Sequence, residues 1–153
     1  RKLNSHLKPT KATLTSLNNS LELRTANLSD LEQILQWTLA LNSHEDDGQL
    51  LFHSRFKDNL KKWLAAEINN PNSLFLIAED SQNPEKKFGF IGASLVINDN
   101  GFLEAPIKGV IQLLWIEPNA RKKNIAQKLV LAIIALVPIV FFLPLLIAFL
   151  LTV

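Results

Sequence analysis

Leu113-Leu114-Trp115-Ile116-Glu117-Pro118-Asn119-Ala120-Arg121-Lys122-Lys123-Asn124-Ile125-Ala126-Gln127-Lys128-Leu129-Val130 is the stretch whose reading decides the fold. It opens with an apolar run of strand composition that stops at a proline. A turn and three consecutive cations follow, and then residues that open a helix. Such a junction is an anion site in outline. The first N–H groups of a helix lack intrahelical partners, and the helix dipole adds positive potential at the same place. Arg121, Lys122 and Lys123 add full charges there. The small side chain of Ala126 lets a ligand come close to the backbone. A pyrophosphate suits a turn of this kind.

Working upstream, the chain alternates between short apolar runs and amphipathic segments. Leu21-Glu22-Leu23-Arg24 has the period of a strand. Ser29 with Glu32 reads as a capping box, and Leu31, Ile34, Leu35, Thr38 and Leu39 predict a helix from about Ser29 to Asn42. Phe56, Leu60, Trp63, Leu64 and Ile68 predict a second helix that stops before Pro71. Leu74 to Ala78 is a strand, and Ser81 to Lys86, with Pro84, is a turn region. Phe88 to Ile97 is a longer strand, with Gly89 and Gly92 marking close backbone approach. Asn98-Asp99-Asn100-Gly101 is a turn signal, and Ile107 to Ile116 is the last strand. The order is strand, helix, helix, three strands in meander, then a basic loop entering a helix. It gives an α+β (mixed α/β) fold class, with helices flanking a largely antiparallel sheet.

In these features the sequence resembles the GNAT family of N-acetyltransferases. The acetyl-CoA motif of that family is a strand, a Pro, and then Arg/Gln-x-x-Gly-x-Gly/Ala opening a helix. Arg121 matches its first position, Asn124 stands at the first Gly, and Ala126 fills the Gly/Ala position. Asn tolerates left-handed backbone better than most residues, so it is a workable replacement for Gly. The resemblance covers the N-terminal and acetyl-CoA-motif portion of such a domain, roughly Leu21 to Ile134. It implies acetyl-CoA as co-substrate and an amine, on a small molecule or a protein, as acceptor. It also implies roles by position. Main-chain groups of Leu114, Trp115 and Ile116 would pair with the pantetheine arm. The N–H groups of Lys122, Lys123, Asn124, Ile125, Ala126 and Gln127 would hold the pyrophosphate, with the Arg121 side chain nearby. The acceptor would enter over the first two helices and the loop from Ser43 to His53.

Amine transfer needs a base to take the ammonium proton. Glu117 and Glu104 are candidates by proximity in sequence, and each also reads as a solvated turn carboxylate. The family often uses a Tyr as general acid, and this sequence has none. Other chemistries find less support. There is no Cys, hence no thiolate nucleophile and no cysteine metal site. Ser43-His44-Glu45-Asp46-Asp47 with His53 matches no standard ligand spacing, so no metal is expected. No Gly-x-Ser-x-Gly elbow occurs.

The net charge of +2 comes from the N-terminus, where Arg1, Lys2, Lys8 and Lys11 meet no acid. Residues 1–20 therefore read as a flexible basic tail and linker. The remainder is close to neutral, so no nucleic-acid partner is expected. At the other end, Leu129 to Val153 holds no charge, and 22 of its 25 residues are apolar. As a helix it would span about 37 Å, enough to cross a bilayer core of about 30 Å. Its basic flank would leave residues 1–128 facing the cytoplasm, a tail-anchored arrangement. Against that, a helix packing beneath the cofactor would bury Ile125, Leu129, Val130, Ile133 and Ile134, and would leave Leu131 exposed. The amphipathic pattern ends near Ala135, where the family would continue with more strands.

The expectation is thus a partial GNAT-like domain over residues 21–135, incomplete at the C-terminus, followed by an apolar C-terminal helix. Truncation, frameshift and a membrane segment all fit the tail, and the absence of Met suits a processed chain or fragment. Two functional readings follow: an acetyl-CoA-dependent N-acetyltransferase, and a non-catalytic, membrane-tethered module with the same fold.

Overall fold

The computed structural model of the chain describes residues 20–45, 54–97 and 107–137. Four strands form one antiparallel sheet in the order β1-β2-β3-β4: β1 (Leu21–Thr25), β2 (Ser73–Asp80), β3 (Asn83–Ile97) and β4 (Ile107–Ile116). Helices α1 (Leu31–Glu45) and α2 (Phe56–Ile68) lie between β1 and β2 in sequence, and helix α3, residues 125–137, follows β4.

The sheet is covered on both faces, which explains the unbroken apolar run in β2. Leu74, Leu76 and Ala78 point to one side and join Ile125, Leu129 and Ile133 of α3. Phe75 and Ile77 point to the other and join Ile34, Leu35 and Trp37 of α1 and Leu64 of α2. A strand buried on both faces loses the polar alternation of a half-exposed one. Phe90 is fully buried on the α1 side, sandwiched by Trp37 (ring centroids 5.6 Å apart, planes 8° apart) and Phe75 (6.5 Å, 11°).

Two single-residue bulges shape the sheet. Between β2 and β3, Ala78 faces Gly89 and Glu79 faces Lys87, which leaves Phe88 as the extra residue of a bulge. Between β3 and β4, Gly92 faces Leu113 and Ala93 faces Ile111, so Gln112 is bulged. A bulge re-aims the side chains beyond it. The two glycines sit where the sequence placed close approaches: Gly89 against the Trp115 carbonyl and Gly92 against the Phe75 ring.

Three local readings change. The N-cap is Asn27 rather than Ser29, and its box partner is Asp30 rather than Glu32. Asn27 Oδ1 accepts from the Ser29 N–H at 2.8 Å, and the Asn27 N–H donates to Asp30 Oδ2 at 3.0 Å. A 3-10 turn over Leu28–Asp30 therefore precedes α1, and Glu32 instead accepts from Lys61 of α2 at 2.8 Å. Pro84 lies within β3 rather than in a turn. Residues 84–86 have no partner in the β2–β3 register and β4 pairs only from Gly89 onward, so no ladder needs the missing N–H. On α3, Ile125, Leu129 and Ile133 are buried and Leu131 is exposed as expected, but Ile134 is 62% exposed.

The basic tail over residues 1–19, the Asn98–Gly101 turn with Glu104, most of the loop between Ser43 and His53, and residues 138–153 of the apolar segment lie outside the described residues. Among the described residues no helix is long and apolar enough to cross a membrane.

An ion cluster that the sequence did not announce ties β1, the 3-10 turn, β2 and β3 together. Asp30 is 1% exposed and accepts from both terminal nitrogens of Arg24 at 2.8 Å, and from Lys87 Nζ at 3.2 Å. Arg24 Nε also stands 3.0 Å from Glu79 Oε2. The Arg24 hydrogen bonds hold the Asp30 carboxyl well below the usual carboxylate range despite its burial, and the same partnership raises Arg24.

Candidate functional site

The C-terminal end of β4 runs into a 3-10 turn, Pro118–Ala120, with Pro at its first position. Two apolar anchors bracket the loop that follows. Ala120 is 1% exposed and Ile125 is 4% exposed, both packed in the cluster beneath α3. Their burial fixes both ends of the loop and leaves Arg121, Lys122 and Asn124 at the surface.

The loop backbone is unusual in one respect. Lys122 (φ 62°) and Asn124 (φ 59°) are the non-glycine residues in the left-handed region among the described residues. That conformation is costly for most side chains and least so for Gly and Asn. Asn124 thus adopts the backbone that a glycine would supply. Its carbonyl accepts the first helical hydrogen bond, from the Lys128 N–H at 3.1 Å. The N–H groups of Ile125, Ala126 and Gln127 therefore have no acceptor within the helix. Left-handed residues next to free N–H groups form concavities suited to anions.

A cleft of about 330 Å³ opens here. Ile116, Arg121, Lys122, Asn124, Ile125, Ala126 and Gln127 line it, all singled out from sequence, together with Ala120. Leu114, Trp115 and Lys123 do not line it, and Lys123 is half-buried. Arg121 folds back on β4. Its Nε donates to the Ile116 carbonyl at 3.1 Å, and its guanidinium lies 5.0 Å from the centre of the Trp115 ring. Among the described residues β4 pairs only with β3, so its outer edge offers main-chain donors and acceptors beside the cleft.

Glu117 has a different setting. It is half-buried, and its Oε1 accepts from the Trp37 indole N–H at 2.5 Å. This bond joins α1 to the end of β4 across 80 positions. Sequence spacing holds no signal for it. The indole N–H of Trp115, by contrast, is buried without a hydrogen-bond partner among the described residues. Among the described residues no group of His, Asp and Glu could hold a metal ion.

The left-handed turn makes a direct prediction. Asn124→Gly is expected to keep the stability of the parent and its affinity for anions. Asn124→Val is expected to lose about 1–2 kcal/mol of stability, because a β-branched side chain resists this backbone. Urea denaturation followed by circular dichroism checks the pair, and equal midpoints for the two variants would remove the left-handed requirement.

No family model matches the sequence, and no curated protein matches it. Solved structures do. A GCN5-related N-acetyltransferase from Ralstonia eutropha JMP134 superposes with a TM-score of 0.59 at 19% identity, over 75% of this chain and 74% of that one. A predicted acetyltransferase from Clostridium acetobutylicum, solved with acetyl-CoA, gives 0.61 at 14% identity, over 75% and 71%. The aminoglycoside 6'-N-acetyltransferase AAC(6')-Ih from Acinetobacter baumannii gives 0.55 at 15% identity, over 74% and 68%. At these identities the likeness concerns the fold, and it agrees with the strand–turn–helix junction and the sheet order described above. The chain has the fold of the GNAT acetyltransferase superfamily.

Proposed function

We propose that the chain binds acetyl-CoA at the β4–α3 junction and serves acetyl transfer to an amine. The observation that carries this reading is the pair of left-handed residues, Lys122 and Asn124, set against the three N–H groups that open α3 with no acceptor in the helix. The residues present fit a pyrophosphate: main-chain donors, a small Ala126, and the cations Arg121 and Lys122 along one cleft. The unpaired edge of β4 at Leu114, Trp115 and Ile116 suits the amide-bearing pantetheine arm, which can add to it as a strand does. When bound, acetyl-CoA supplies a thioester carbonyl open to attack by an amine. The chain's own part is to hold the pyrophosphate, align the arm along β4 and keep α1 against the end of β4 through Trp37 and Glu117.

An acceptor amine approaches over α1 and α2 in this reading. The acetyltransferases of similar fold include one named for aminoglycosides, which supports testing a small molecule with several amines as acceptor. A second reading, binding without turnover, is favoured by one observation. Glu117 is engaged with Trp37, and neither it nor any other described carboxylate stands out as a free base at the cleft. Membrane tethering through residues 129–153 belongs to that second reading.

Titration calorimetry of the full chain with acetyl-CoA tests the assignment. One-to-one binding is expected. It should weaken by about tenfold or more in Arg121→Gln, Lys122→Asn, where Asn keeps the left-handed backbone while two charges are removed. Absence of binding by a chain that is folded by circular dichroism would overturn the cofactor assignment. Release of free thiol from acetyl-CoA on adding a polyamine then separates the transferase from the binding module.

A further inference from the structure

The Arg121 side chain occupies part of the edge along which a pantetheine arm would lie. Gly89 faces Ile116, and the Glu117 N–H donates to the Phe88 carbonyl at 2.8 Å. In an antiparallel ladder, a bond between the neighbours of a facing pair means that the pair's own main-chain groups point away from each other. The Ile116 carbonyl therefore faces the outer edge of β4. The main-chain groups of Leu114, two residues back, face the same way, and those of Trp115 face β3. Outward groups of this kind are what an amide-bearing arm can bond. One of them is already taken, because Arg121 Nε donates to the Ile116 carbonyl at 3.1 Å.

The rest of the side chain is held as lightly as it is aptly placed. Its guanidinium lies 5.0 Å from the centre of the Trp115 ring, within the range of a cation–π contact. Among the described residues no carboxylate pairs with it, and Arg121 also lines the basic cleft. Both of its partners on β4 are therefore neutral. A guanidinium bond to a phosphate oxygen is charged on both sides and can be bidentate, which makes it the stronger of the two arrangements. A diphosphate in the cleft can thus draw Arg121 off Ile116. A neutral amide that competes for the same carbonyl must displace a cation and returns only a neutral bond.

We propose that Arg121 makes the arm site conditional on the diphosphate, an inference that rests on the acetyl-CoA assignment of the β4–α3 junction. In the free chain the side chain covers the Ile116 carbonyl. When a diphosphate binds at the loop, Arg121 turns to it and the arm pairs with the freed edge. Arg121 is then a specificity-determining residue. It selects a thioester carried on a nucleoside diphosphate over the same thioester on a bare pantetheine. By linkage the effect is reciprocal, so diphosphate and arm each tighten the binding of the other.

The two halves of the ligand test this separately. S-acetylpantetheine is uncharged, so a residue that only binds phosphate has no effect on it. Its affinity for the ¹⁵N-labelled full chain is read from the Leu114 and Ile116 amide shifts, with and without saturating ADP. In the parent, ADP is expected to tighten it by about three- to tenfold, the worth of one hydrogen bond. In Arg121→Ala the affinity without ADP should already be raised by a similar factor, ADP should add nothing further, and ADP itself should bind more weakly. An acetylpantetheine affinity that is unchanged or lower, with ADP in the parent or without it in the variant, would overturn the proposal. Unchanged affinity leaves Arg121 a phosphate ligand only, and lower affinity makes it a support for the arm. The ADP effect is read in the parent alone, so misfolding of the variant leaves the test intact. Acetyl-CoA is titrated first. Its failure to bind the folded parent would overturn the cofactor assignment and this inference with it, whereas binding of acetyl-CoA without the ADP effect would overturn the inference alone.

Discussion

Gly89→Ala is expected to cost about 3 kcal/mol of stability or more, at the upper end of what overpacking usually costs. A Cβ at this position would lie 2.2 Å from the Trp115 carbonyl oxygen, 2.9 Å from Ile116 Cδ1 and 3.0 Å from Ile116 Cα. The nearest atom is backbone, so no change of rotamer relieves it. The strands would have to part where Gly89 faces Ile116 and where the Glu117 N–H donates to the Phe88 carbonyl at 2.8 Å. That movement passes directly to the site, because Ile116 and Glu117 lead into the turn that carries Arg121, Lys122 and Asn124. Loss of acetyl-CoA affinity is expected together with the loss of stability. Urea denaturation and calorimetry on the same variant check both, and a midpoint within error of the parent would mean that β4 can move without cost.

Asp30→Ala is expected to cost about 3 kcal/mol. Asp30 is 1% exposed and faces the cations of Arg24 and Lys87 and the N–H of Asn27. Removing it takes the carboxylate from Lys87, the acceptor from the cap N–H and one of two carboxylates from Arg24, which keeps Glu79. Arg24 and Lys87 are 30% and 22% exposed, so water can reach them, which holds the cost to the lower part of the range for broken buried pairs. The charge also makes this contribution depend on pH. The folded-state pKa of Asp30 is depressed relative to an unfolded value of about 3.9, so the folded state binds the proton less readily than the unfolded chain. The stability it supplies is complete above about pH 5 and declines as pH falls through about 4. The gap between the parent and Asp30→Asn should therefore be constant from pH 7 to about pH 5 and narrow below about pH 4. A gap that widens on acidification would contradict the ion cluster.

What the sequence disclosed follows from the range of each interaction. The junction from Leu113 to Val130 is legible because strand, proline, cations and helix start are contiguous. Asn124 is legible as a left-handed residue because that property depends mainly on its own side chain. The helices α1 and α2 are legible from apolar spacing, and β2 from the short apolar run Leu74 to Ala78. The cap at Asn27 reads two residues late in the sequence because Ser29–Glu32 and Asn27–Asp30 carry the same local signal. Pro84 reads as a turn unless one knows that residues 84–86 face no partner. The ion pair of Asp30 with Lys87 spans 57 positions and the Trp37–Glu117 bond spans 80, and neither leaves a mark on local spacing. Ile134 has the helical period of a buried residue, yet it stays 62% exposed at an open groove that it lines with Val110 and Ile111 of β4.

The central claim is that main-chain N–H groups at the β4–α3 junction bind the pyrophosphate of acetyl-CoA. Amide chemical shifts of the ¹⁵N-labelled full chain test it most directly, because they report on those N–H groups themselves. Titration with acetyl-CoA is predicted to give the largest shifts at Lys122 to Gln127, with a second group at Leu114 to Ile116 along the edge of β4. Saturable shifts located elsewhere, or none at all in a folded chain, would contradict it.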